Sequence, residues 1–368
     1  MRFHVVSLPH TQTTKDYANC AYTEKVRRFC NMMKALGHTV YLYAGEENEA
    51  NVDELIPCIN ETQRRIVVGN KPYVEAPFDY KLPHWQKFNG KAIKEIRKRL
   101  QEQDFICLIA GATHKPIADA FPAHMSVEFG VGYSGVFSQY RVFESYAWMH
   151  AVYAQFKNAA TVDGQFFDAV IPGYLDPDMF PLGKGDGDYY LYIGRMVPRK
   201  GVEVAAHICK TIGARLIMAG PGDYIPTYGE YIGPVGPEKR AELMGGAIAT
   251  FVPTLYIEPF GNVNIESQAC GTPVITTDWG AFTETVVQGV TGYRCRSVEE
   301  FILASQNVKN LDRTAIRKRA VETYGVDVIA KQYEYYFQRL LTLWGDGWYE
   351  KGKAAEAIQK AKEKTTEG

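Results

Sequence analysis

Short apolar runs rich in β-branched and aromatic residues alternate along this chain with amphipathic stretches of helical length. The alternation starts at once, because FHVVSL (3–8) has the composition of a buried strand and YTEKVRRFCNMMKALG (22–37) that of a helix. In the helical stretch Val26, Phe29 and Met33 recur at helical spacing. Alternation of this kind predicts an α/β fold, in which parallel strands form a sheet with helices on both faces.

The same pattern continues through the first half of the chain. TVYLYAG (39–45) and FICLIAG (105–111) are predicted strands, and GKAIKEIRKRLQEQ (90–103) is a predicted helix. RVFESYAWMHAVYAQF (141–156) is predicted to form one longer, aromatic-rich helix, and AATVDG (159–164) to begin another strand–helix step. The first half therefore predicts one doubly wound, Rossmann-like domain.

The stretch VIPGYLDPDMFPLGKGDGD (170–188) interrupts the alternation. It carries three prolines, four glycines and four aspartates, a composition that breaks regular structure. A chain of 368 residues has room for two domains at roughly 100–200 residues each. We therefore expect a first domain over residues 1–182 and a second over residues 183–329.

The alternation resumes after this linker and predicts a second doubly wound domain. The predicted strands are YYLYIG (189–194), ARLIMAG (214–220), AIATFVPT (247–254) and PVITTD (273–278). The predicted helices are GVEVAAHICKTIG (201–213), GPEKRAELMGG (236–246), NVNIESQACG (262–271), AFTETVVQG (281–289) and a last helix at 328–352.

Bulk charge and cysteine content exclude several classes of partner. The chain has 41 basic and 42 acidic residues, so its net charge of −1 does not attract polyanions as a whole. Seven scattered cysteines without a CxxC pair predict a reduced, cytoplasmic protein rather than a disulfide scaffold or a zinc site. No apolar run approaches the ~20 residues that span a bilayer. Any membrane contact would be peripheral, and the basic helix at 90–103 would suit anionic lipid, nucleic acid or simply solvent.

Ligands of open α/β sheets bind beyond the carboxyl ends of the strands, and four strand ends in the second half carry groups of interest. Arg195 directly follows a predicted strand, and Lys200 comes just before the next helix. A guanidinium and an ammonium at a strand end suit a diphosphate, although two solvated loop cations would look the same. Gly220 and Gly222 follow the next strand and permit close approach of a ligand, but the third glycine of a GxGxxG fingerprint is missing.

The stretch EPFGNVNIESQACGTPVI (258–275) combines two carboxylates with a helix start. Gly261 leaves the helix N-terminus open, so free backbone N–H groups can face phosphate oxygens. Glu258 precedes this helix and Glu266 lies within it, so the two side chains would flank a bound anion. Either residue alone would also suit a loop acid or a helix-dipole partner, but the combination favours a ligand site.

A further strand end, TTDWGAFTETV (276–286), carries Gly280 and Glu284 around another helix start. Acidic residues are favoured at such positions because they satisfy free N–H groups. This pattern predicts a capping role for Glu284.

Taken together, YIGRMVPRKG, LIMAGPGD, YIGPV, EPFGNVNIESQACGTPVI and GVTGY resemble the nucleotide-sugar domain of retaining GT-B glycosyltransferases of glycosyltransferase family 4. The resemblance covers residues 170–292, includes the linker, and keeps the E-x7-E motif intact at Glu258 and Glu266. In the first domain it extends only to the architecture and to ALGHTV (35–40). It implies two Rossmann-like domains facing a cleft, an acceptor-side first domain, and a C-terminal helix (about 330–368) that crosses back to that domain.

The resemblance also implies an activity. It predicts transfer of a hexosyl unit of the glucosyl type from a nucleotide diphosphate sugar to an acceptor hydroxyl with retention, with UDP preferred as the base and GDP next. The acceptor class stays open between sugar, lipid, protein and nucleic acid. No cofactor and no metal are expected, because the aspartates of DPD (176–178) and DGD (186–188) lie in the linker, where aspartate forms turns.

Roles are implied for individual donor-side residues. Arg195 and Lys200 would bind the diphosphate and stabilise the leaving group. Glu258 would accept hydrogen bonds from the donor sugar, and Glu266 would hold the ribose diol. The remaining donor-binding residues would be Gly194 and Gly220 at strand ends, Tyr231 and Ile232 near the base, and Phe260, Gly261, Asn262, Val263 and Asn264 through their backbone N–H groups.

The acceptor side departs from the family pattern. The loop PHTQTTKDYANCAY (9–22) lacks the glycine pair that many relatives carry after the first strand. Glu128 stands roughly where many relatives have a histidine, and His114, after the FICLIAG strand, is the alternative. Glu128 and His114 are therefore both candidate acceptor-side catalytic residues.

Two other functions are compatible with the same residues. One is a sugar-nucleotide epimerase on the same fold, and the other is a nucleotide-sugar-binding protein without catalysis. Binding of a nucleotide sugar without turnover would favour the second of these over a transferase.

Overall fold

A computed structural model of the protein describes residues 1–18, 20–69, 72–155 and 164–342. In this part of the chain the strands form two separate sheets, and all pairs between their strands are parallel. The predicted α/β class with two Rossmann-like sheets is confirmed.

The first sheet has seven strands. They are β1 (Arg2–Val6), β2 (Thr39–Ala44), β3 (Glu54–Pro57), β4 (Phe105–Leu108), β5 (Met125–Val131), β6 (Tyr140–Phe143) and β7 (Asp168–Val170). Their order is β3-β2-β1-β4-β5-β6-β7. The helices between them are α1 (Ala21–Ala35), α2 (Glu61–Val68), α3 (Pro83–Arg97), α4 (Lys115–Asp119) and α5 (Tyr146–Tyr153), with 3-10 turns at Lys15–Tyr17, Tyr73–Glu75 and Gly111–His114.

The second sheet has six strands. They are β8 (Tyr189–Ile193), β9 (Arg215–Ala219), β10 (Glu230–Tyr231), β11 (Thr250–Val252), β12 (Val274–Thr277) and β13 (Gly292–Cys295), in the order β10-β9-β8-β11-β12-β13. The helices are α6 (Val202–Thr211), α7 (Pro237–Gly246), α8 (Asn262–Ala269), α9 (Phe282–Thr285), α10 (Val298–Asn307), α11 (Arg313–Tyr324) and α12 (Val326–Leu341), with 3-10 turns at Pro198–Lys200 and Val308–Asn310.

Both sheets reverse their strand order at a corresponding place. In the first sheet β1 lies between β2 and β4, and in the second β8 lies between β9 and β11. In each sheet the chain first adds strands outward on one side of β1 or β8. It then crosses over and adds the remaining strands on the other side. A crevice therefore opens at the carboxyl ends of β1 and β4 and again at those of β8 and β11, where open α/β sheets bind ligands.

The last described helix belongs to the core of the first sheet. Tyr333 and Phe337 of α12 are buried, and the Phe337 ring lies 4.7 Å from that of Phe3 on β1. The Tyr333 ring lies 5.4 Å from that of Phe29, on the face of α1 whose burial the spacing predicts. This packing confirms the predicted return of the C-terminal helix as far as Leu341, and residues 343–368 lie outside the described part of the chain.

The predicted linker has no helix or strand between Val170 and Tyr189, apart from a single bridge at Leu175. The domain boundary between residues 182 and 183 falls within it and stays a prediction.

The prediction of one long helix over 141–156 was wrong. Residues 141–143 belong to strand β6, and α5 begins only at Tyr146, with Ser145 as its cap. Val142 and Phe143 are fully buried in the sheet, and a short apolar run of this kind does not distinguish a buried strand from a helix. Most of the predicted strand start at 159–164 lies outside the described residues, and β7 follows it.

Other predicted elements are present with shifted ends. The basic helix runs over Pro83–Arg97 rather than 90–103, and the helix predicted at 281–289 covers only Phe282–Thr285. Strands β3, β5, β10 and β13 and helices α2, α4, α10 and α11 were not predicted. None of the helices in the described ranges has both the length and the apolarity needed to cross a membrane.

Candidate active site

Lys200 and Glu258 meet at the crevice of the second sheet. Lys200 ends the 3-10 turn that follows β8, and Glu258 lies in the loop after β11. The Lys200 Nζ donates to Glu258 Oε2 over 2.6 Å. The reversal of strand order thus brings these two residues together. The family resemblance implies separate contacts for them, the diphosphate for Lys200 and the donor sugar for Glu258.

Three neighbouring side chains hold the Glu258 carboxylate. The side chain is buried, and Oε2 accepts from Thr254 Oγ1 at 3.1 Å as well as from Lys200. The Tyr256 hydroxyl is a further hydrogen-bond partner of this carboxylate. A carboxylate has roughly four acceptor sites, so three donors leave room for a ligand hydroxyl.

Burial and charge act in opposite directions on Lys200. Burial lowers the pKa of the ammonium group, but the Glu258 carboxylate outweighs burial, so the pKa is raised above its ordinary value. The Tyr256 hydroxyl also raises this pKa through its charge and its hydrogen bond. The ring centroid of Tyr256 lies 5.0 Å from Lys200 Nζ and also 5.0 Å from Arg199 Cζ. Lys200 is therefore a permanent cation.

Arg195 is exposed at the mouth of the crevice. Its guanidinium makes no ion pair with any residue that the structure describes, and its backbone oxygen accepts from Tyr192 Oη at 3.1 Å. The same Tyr192 hydroxyl lies 3.4 Å from the backbone oxygen of Lys200. The backbones of Arg195 and Lys200 are therefore both hydrogen-bonded to one buried tyrosine of β8. Arg195 thus presents a free charge from a fixed backbone.

The glycine-containing loops after β8 and β9 pack directly against each other. A Cβ on Gly220 would lie 1.9 Å from the Gly194 oxygen, and the φ of Gly220 is +139°, so a side chain fits neither the space nor the backbone. The Gly220 oxygen accepts from Tyr231 Oη at 2.8 Å, and Ile232 is partly exposed beside it. These contacts give the two glycines a structural reason. Donor binding by Gly194, Gly220, Tyr231 and Ile232 stays a prediction.

Helix α8 presents an open N-terminus beside Glu258. Gly261 caps it with a φ of +80°, and the backbone N–H groups of residues 260–263 donate to no described group. The prediction of a free backbone N–H at Asn264 was wrong, because this N–H already donates to the Gly261 oxygen at 2.9 Å. Its buried amide donates to Thr285 Oγ1, so neither its backbone nor its side chain is free for an anion. The available N–H groups are those of Phe260, Gly261, Asn262 and Val263.

Glu266 lies farther along α8 with an unsatisfied oxygen. The residue is buried, and its Oε2 lies 3.5 Å from Arg240 Nη1 but makes no hydrogen bond within the described residues. A buried carboxylate oxygen without a donor is costly, and a diol would supply donors. The geometry is compatible with the predicted ribose contact.

Glu128 is buried in the middle of β5 and bonds to the loop that follows the strand. Its Oε2 accepts from the N–H groups of Phe137 and Ser138, both at 2.8 Å, and Oε1 accepts from Tyr133 Oη at 3.2 Å. Burial raises the pKa of this carboxyl, although the three donors oppose it. These contacts give Glu128 a structural role in holding residues 133–138, and its catalytic role stays a prediction.

His114 is fully buried at the end of the 3-10 turn after β4. Its Nδ1 accepts from the Ala110 N–H at 3.3 Å, and the ring also has a hydrogen-bond partner in the backbone of Ser7. Burial lowers the pKa of this imidazole to about 3. The ring is neutral at physiological pH, so it can form hydrogen bonds but does not supply a proton there.

Sequence comparison identifies the part of the chain that carries the donor-side residues. Residues 176–320 match the family model of the glycosyl transferases group 1. The match covers less than half of the chain, and we call these residues the group 1 segment. It contains Arg195, Lys200 and both glutamates of the E-x7-E motif.

Curated relatives match over a comparable length of the chain. The D-inositol 3-phosphate glycosyltransferase of Acidothermus cellulolyticus is 31% identical over 133 residues, which cover 29% of this chain and 30% of the relative. The glycogen synthase of Mycobacterium tuberculosis is 31% identical over 149 residues, 35% of this chain and 36% of the relative. The chain thus matches only about a third of the length of these relatives.

Solved structures extend the likeness to both sheets. AviGT4, a glycosyltransferase involved in avilamycin A biosynthesis, aligns with a TM-score of 0.65 at 20% identity over 93% of this chain and 98% of its own. The sucrose-phosphate synthase of Thermosynechococcus elongatus aligns with a TM-score of 0.67 at 17% identity over 93% and 99%. These neighbours confirm the GT-B architecture.

The group 1 segment is joined to the first sheet beside its Glu258 loop. Ser145 Oγ donates to the Pro259 oxygen at 2.6 Å. Glu284 accepts from the N–H groups of Tyr146 at 3.0 Å and Ala147 at 2.8 Å, so it caps α5 of the other sheet. A capping role for Glu284 was predicted, but at the start of α9. We call Ser145, Pro259 and Glu284 the interdomain clamp.

A second pair of residues packs against the same loop of the group 1 segment. Lys25 Nζ lies 2.7 Å from Glu144 Oε2 and also donates to the Gly130 oxygen at 2.9 Å. A Cβ on Gly132 would lie 2.5 Å from Glu144 Oε2 and 3.2 Å from the Pro259 Cβ. This pair, the clamp and the role of Thr254 were not predicted, since their partners are distant in sequence or, for Thr254, lie in an irregular loop.

Proposed function

We propose that this protein is a retaining glycosyltransferase that moves a hexosyl unit of the glucosyl type from a UDP-sugar to an acceptor hydroxyl. The observation that carries the proposal is the Lys200–Glu258 pair in the crevice of the group 1 segment, with the open N-terminus of α8 beside it. A carboxylate oxygen accepts from sugar hydroxyls, and a helix N-terminus binds phosphate.

The leaving diphosphate would be stabilised by several fixed positive groups. Arg195 supplies an unpaired guanidinium, and the free N–H groups of residues 260–263 add the positive end of α8. Lys200 is partly neutralised by Glu258, but an ammonium has three donors, and Glu258 and the Tyr256 hydroxyl occupy two of them. We propose that these groups serve in place of a metal ion, with no cofactor.

Retention is proposed to occur on one face of the donor sugar. The bond from the anomeric carbon to the leaving phosphate oxygen breaks, a bond to the acceptor oxygen forms, and the acceptor proton passes to that phosphate oxygen. The protein then needs no nucleophile of its own. Glu128 supports this scheme, because both of its oxygens already accept hydrogen bonds from the loop that follows it.

The choice of UDP and a glucosyl unit is supported by neighbours of the same fold. Anabaena HepE, which aligns with a TM-score of 0.63 at 13% identity over 92% of this chain, was solved in complex with UDP-glucose and with UDP and glucose. A glycogen synthase and a sucrose-phosphate synthase are among the similar proteins. We propose the same base and sugar type here.

A thermal-shift panel with UDP-, GDP- and ADP-glucose tests the donor site directly. We expect UDP-glucose to raise the melting temperature most, and no response to any of the three would contradict the proposal. A transfer assay with pooled donors and acceptors then separates the functions. Formation of a new glycoside supports a transferase, isomerisation of the sugar nucleotide supports an epimerase, and binding without turnover supports a non-catalytic protein.

A further inference from the structure

Burial alternates along the loop that follows β11. Thr254 and Glu258 are buried, and Tyr256 is half-buried. Leu255 and Ile257, which lie between them, are 52% and 43% exposed. Successive side chains of an extended segment point to opposite sides. Residues 254, 256 and 258 therefore turn their side chains to the same inner side of the loop.

Backbone contacts fix this loop on both sides of Tyr256. Trp279 Nε1 donates to the backbone oxygens of Thr254 at 3.1 Å and of Tyr256 at 3.2 Å. The Leu255 N–H donates to the Arg199 oxygen at 3.0 Å, which joins the loop to the 3-10 turn after β8. The Tyr256 side chain is therefore presented from a fixed backbone.

The Tyr256 hydroxyl bonds to both members of the ion pair, Lys200 and Glu258. An ammonium only donates and a carboxylate only accepts. The phenol oxygen therefore accepts from Lys200, while its own proton is donated to Glu258. Burial raises the pKa of this phenol, and the charge of Glu258 adds to the effect, so the proton is in place at neutral pH. A neutral hydroxyl thus bridges the two charges.

Two hydroxyl groups would still hold Glu258 if the ammonium of Lys200 moved away. Thr254 Oγ1 donates to Glu258 Oε2 at 3.1 Å, and Tyr256 supplies the other hydroxyl donor. A buried carboxylate that lost its only donor would carry a large desolvation cost. With both hydroxyls in place, the carboxylate keeps hydrogen bonds and its orientation without Lys200.

The surroundings of Lys200 permit this movement. Its side chain is 21% exposed, against 9% for Glu258. A lysine ammonium is carried on a flexible four-carbon stem. The open N-terminus of α8, which is proposed above to hold the diphosphate, begins at Gly261 in the same loop as Glu258. Lys200 can therefore exchange a carboxylate partner for a phosphate partner within one crevice.

We infer that Tyr256 is a positioning residue for the glycosyl transfer proposed above. Its hydroxyl holds Glu258 in place while Lys200 turns to the leaving diphosphate. This role rests on the proposed function, since it requires a diphosphate at the start of α8. One lysine can then serve the carboxylate before the donor binds and the diphosphate afterwards, because a neutral donor replaces it on Glu258.

The test is a double-mutant cycle in the full chain, with the Kd for UDP measured by titration calorimetry. Tyr256→Phe removes the hydroxyl and keeps the ring that lies 5.0 Å from Lys200 Nζ. It is measured in the wild-type background and in Glu258→Ala. Tyr228→Phe is the matched control, because Tyr228 is a half-buried tyrosine of the group 1 segment whose hydroxyl donates to the Ala214 oxygen at 2.8 Å.

In the wild-type background we expect Tyr256→Phe to raise the Kd for UDP about threefold to tenfold, because Glu258 then retains Lys200 more tightly. In Glu258→Ala the same change should not weaken UDP binding further, because no carboxylate is left to retain the ammonium. Thr254→Val removes the other hydroxyl donor and should act in the same direction as Tyr256→Phe. Tyr228→Phe should leave the Kd unchanged in both backgrounds.

Equal losses of UDP affinity in the two backgrounds would overturn the role of Tyr256, because damage to the loop does not depend on Glu258. An unchanged Kd for Tyr256→Phe in the wild-type background would overturn it as well. Failure of the wild type to bind UDP would contradict the proposed function itself, and the role of Tyr256 would fall with it.

Discussion

Lys200 and Glu258 form a 2.6 Å ion pair although they are 58 positions apart in the sequence. The pair joins the loops after the two neighbouring strands β8 and β11, and a second donor, Thr254, holds the same carboxylate oxygen. Lys200 is therefore both a candidate phosphate ligand and the group that orients Glu258. This double role shapes the predictions for the donor site.

Replacing Glu258 should separate chemistry from nucleotide binding. In Glu258→Ala the donor sugar loses the carboxylate that accepts its hydrogen bonds, and Lys200 loses its ion-pair partner. We therefore expect kcat to fall at least about 100-fold. Binding of UDP, measured by calorimetry, should be retained or strengthened, because the freed ammonium can turn to the diphosphate. Transfer at the wild-type rate would contradict the proposed role of Glu258.

Removing a cation should raise the barrier to transfer. For Lys200→Met and for Arg195→Met we expect a loss of about 3 kcal/mol of transition-state stabilisation, measured as kcat with UDP-glucose. Arg215→Met is the matched control, since Arg215 is half exposed and paired with Asp188 and Glu230 on the same sheet. An equal loss of kcat in all three variants would show that the net charge of the protein matters and not the positions of Lys200 and Arg195.

Glu266 should act on the nucleotide itself. Glu266→Ala removes the unsatisfied oxygen that is proposed to meet the ribose diol, so the Kd for UDP should rise about tenfold to 100-fold. Glu242→Ala, an exposed acid on the neighbouring helix α7, should leave the Kd unchanged. Titration calorimetry with UDP measures both, and an unchanged Kd in Glu266→Ala would refute the ribose assignment.

The interdomain clamp should couple stability to turnover. Glu284→Ala removes two charge-assisted hydrogen bonds from the N-terminus of α5, and we expect a loss of about 1–2 kcal/mol in the free energy of unfolding. Because the clamp also holds the loop next to Glu258, kcat should fall while the Kd for UDP stays unchanged. Glu284→Gln keeps one acceptor oxygen and should restore part of both losses. A lower stability with full kcat would limit the clamp to a structural role.

Acid should destabilise the fold through His114. Its folded pKa of about 3 lies below the ordinary value of 6.5, so the unfolded state binds the proton first as the pH falls below 6.5. Stability is therefore fully present above that pH and is lost toward pH 3, by at most about 1.4 kcal/mol per pH unit for this group. Urea unfolding of the wild type and His114→Leu at several pH values measures the effect. The variant should show a shallower acid dependence, whereas His207→Leu, at an exposed histidine, should match the wild type.

Several features of the fold were predictable because they depend on local sequence. The strands β1, β2, β4, β8, β9, β11 and β12 are short apolar runs between turn residues, and they appear where expected. The error at 141–156 has a definite cause, because a buried strand and the first turn of a helix share an apolar composition there. Elements with weak periodicity or few residues, such as β10 and α4, were missed for the same lack of signal.

The sequence by itself determined the α/β class, the linker, and which residues of the second domain cluster near one edge of its sheet. These properties follow from periodicity, from turn-forming residues and from the rule that loops after parallel strands share an edge. Only the tertiary structure decided that Lys200 binds Glu258, that Asn264 has no free N–H group, and that Glu284 caps a helix 138 positions away. Contacts of this kind depend on strand order and on how the sheets pack. The local pattern of residues predicts neither of these.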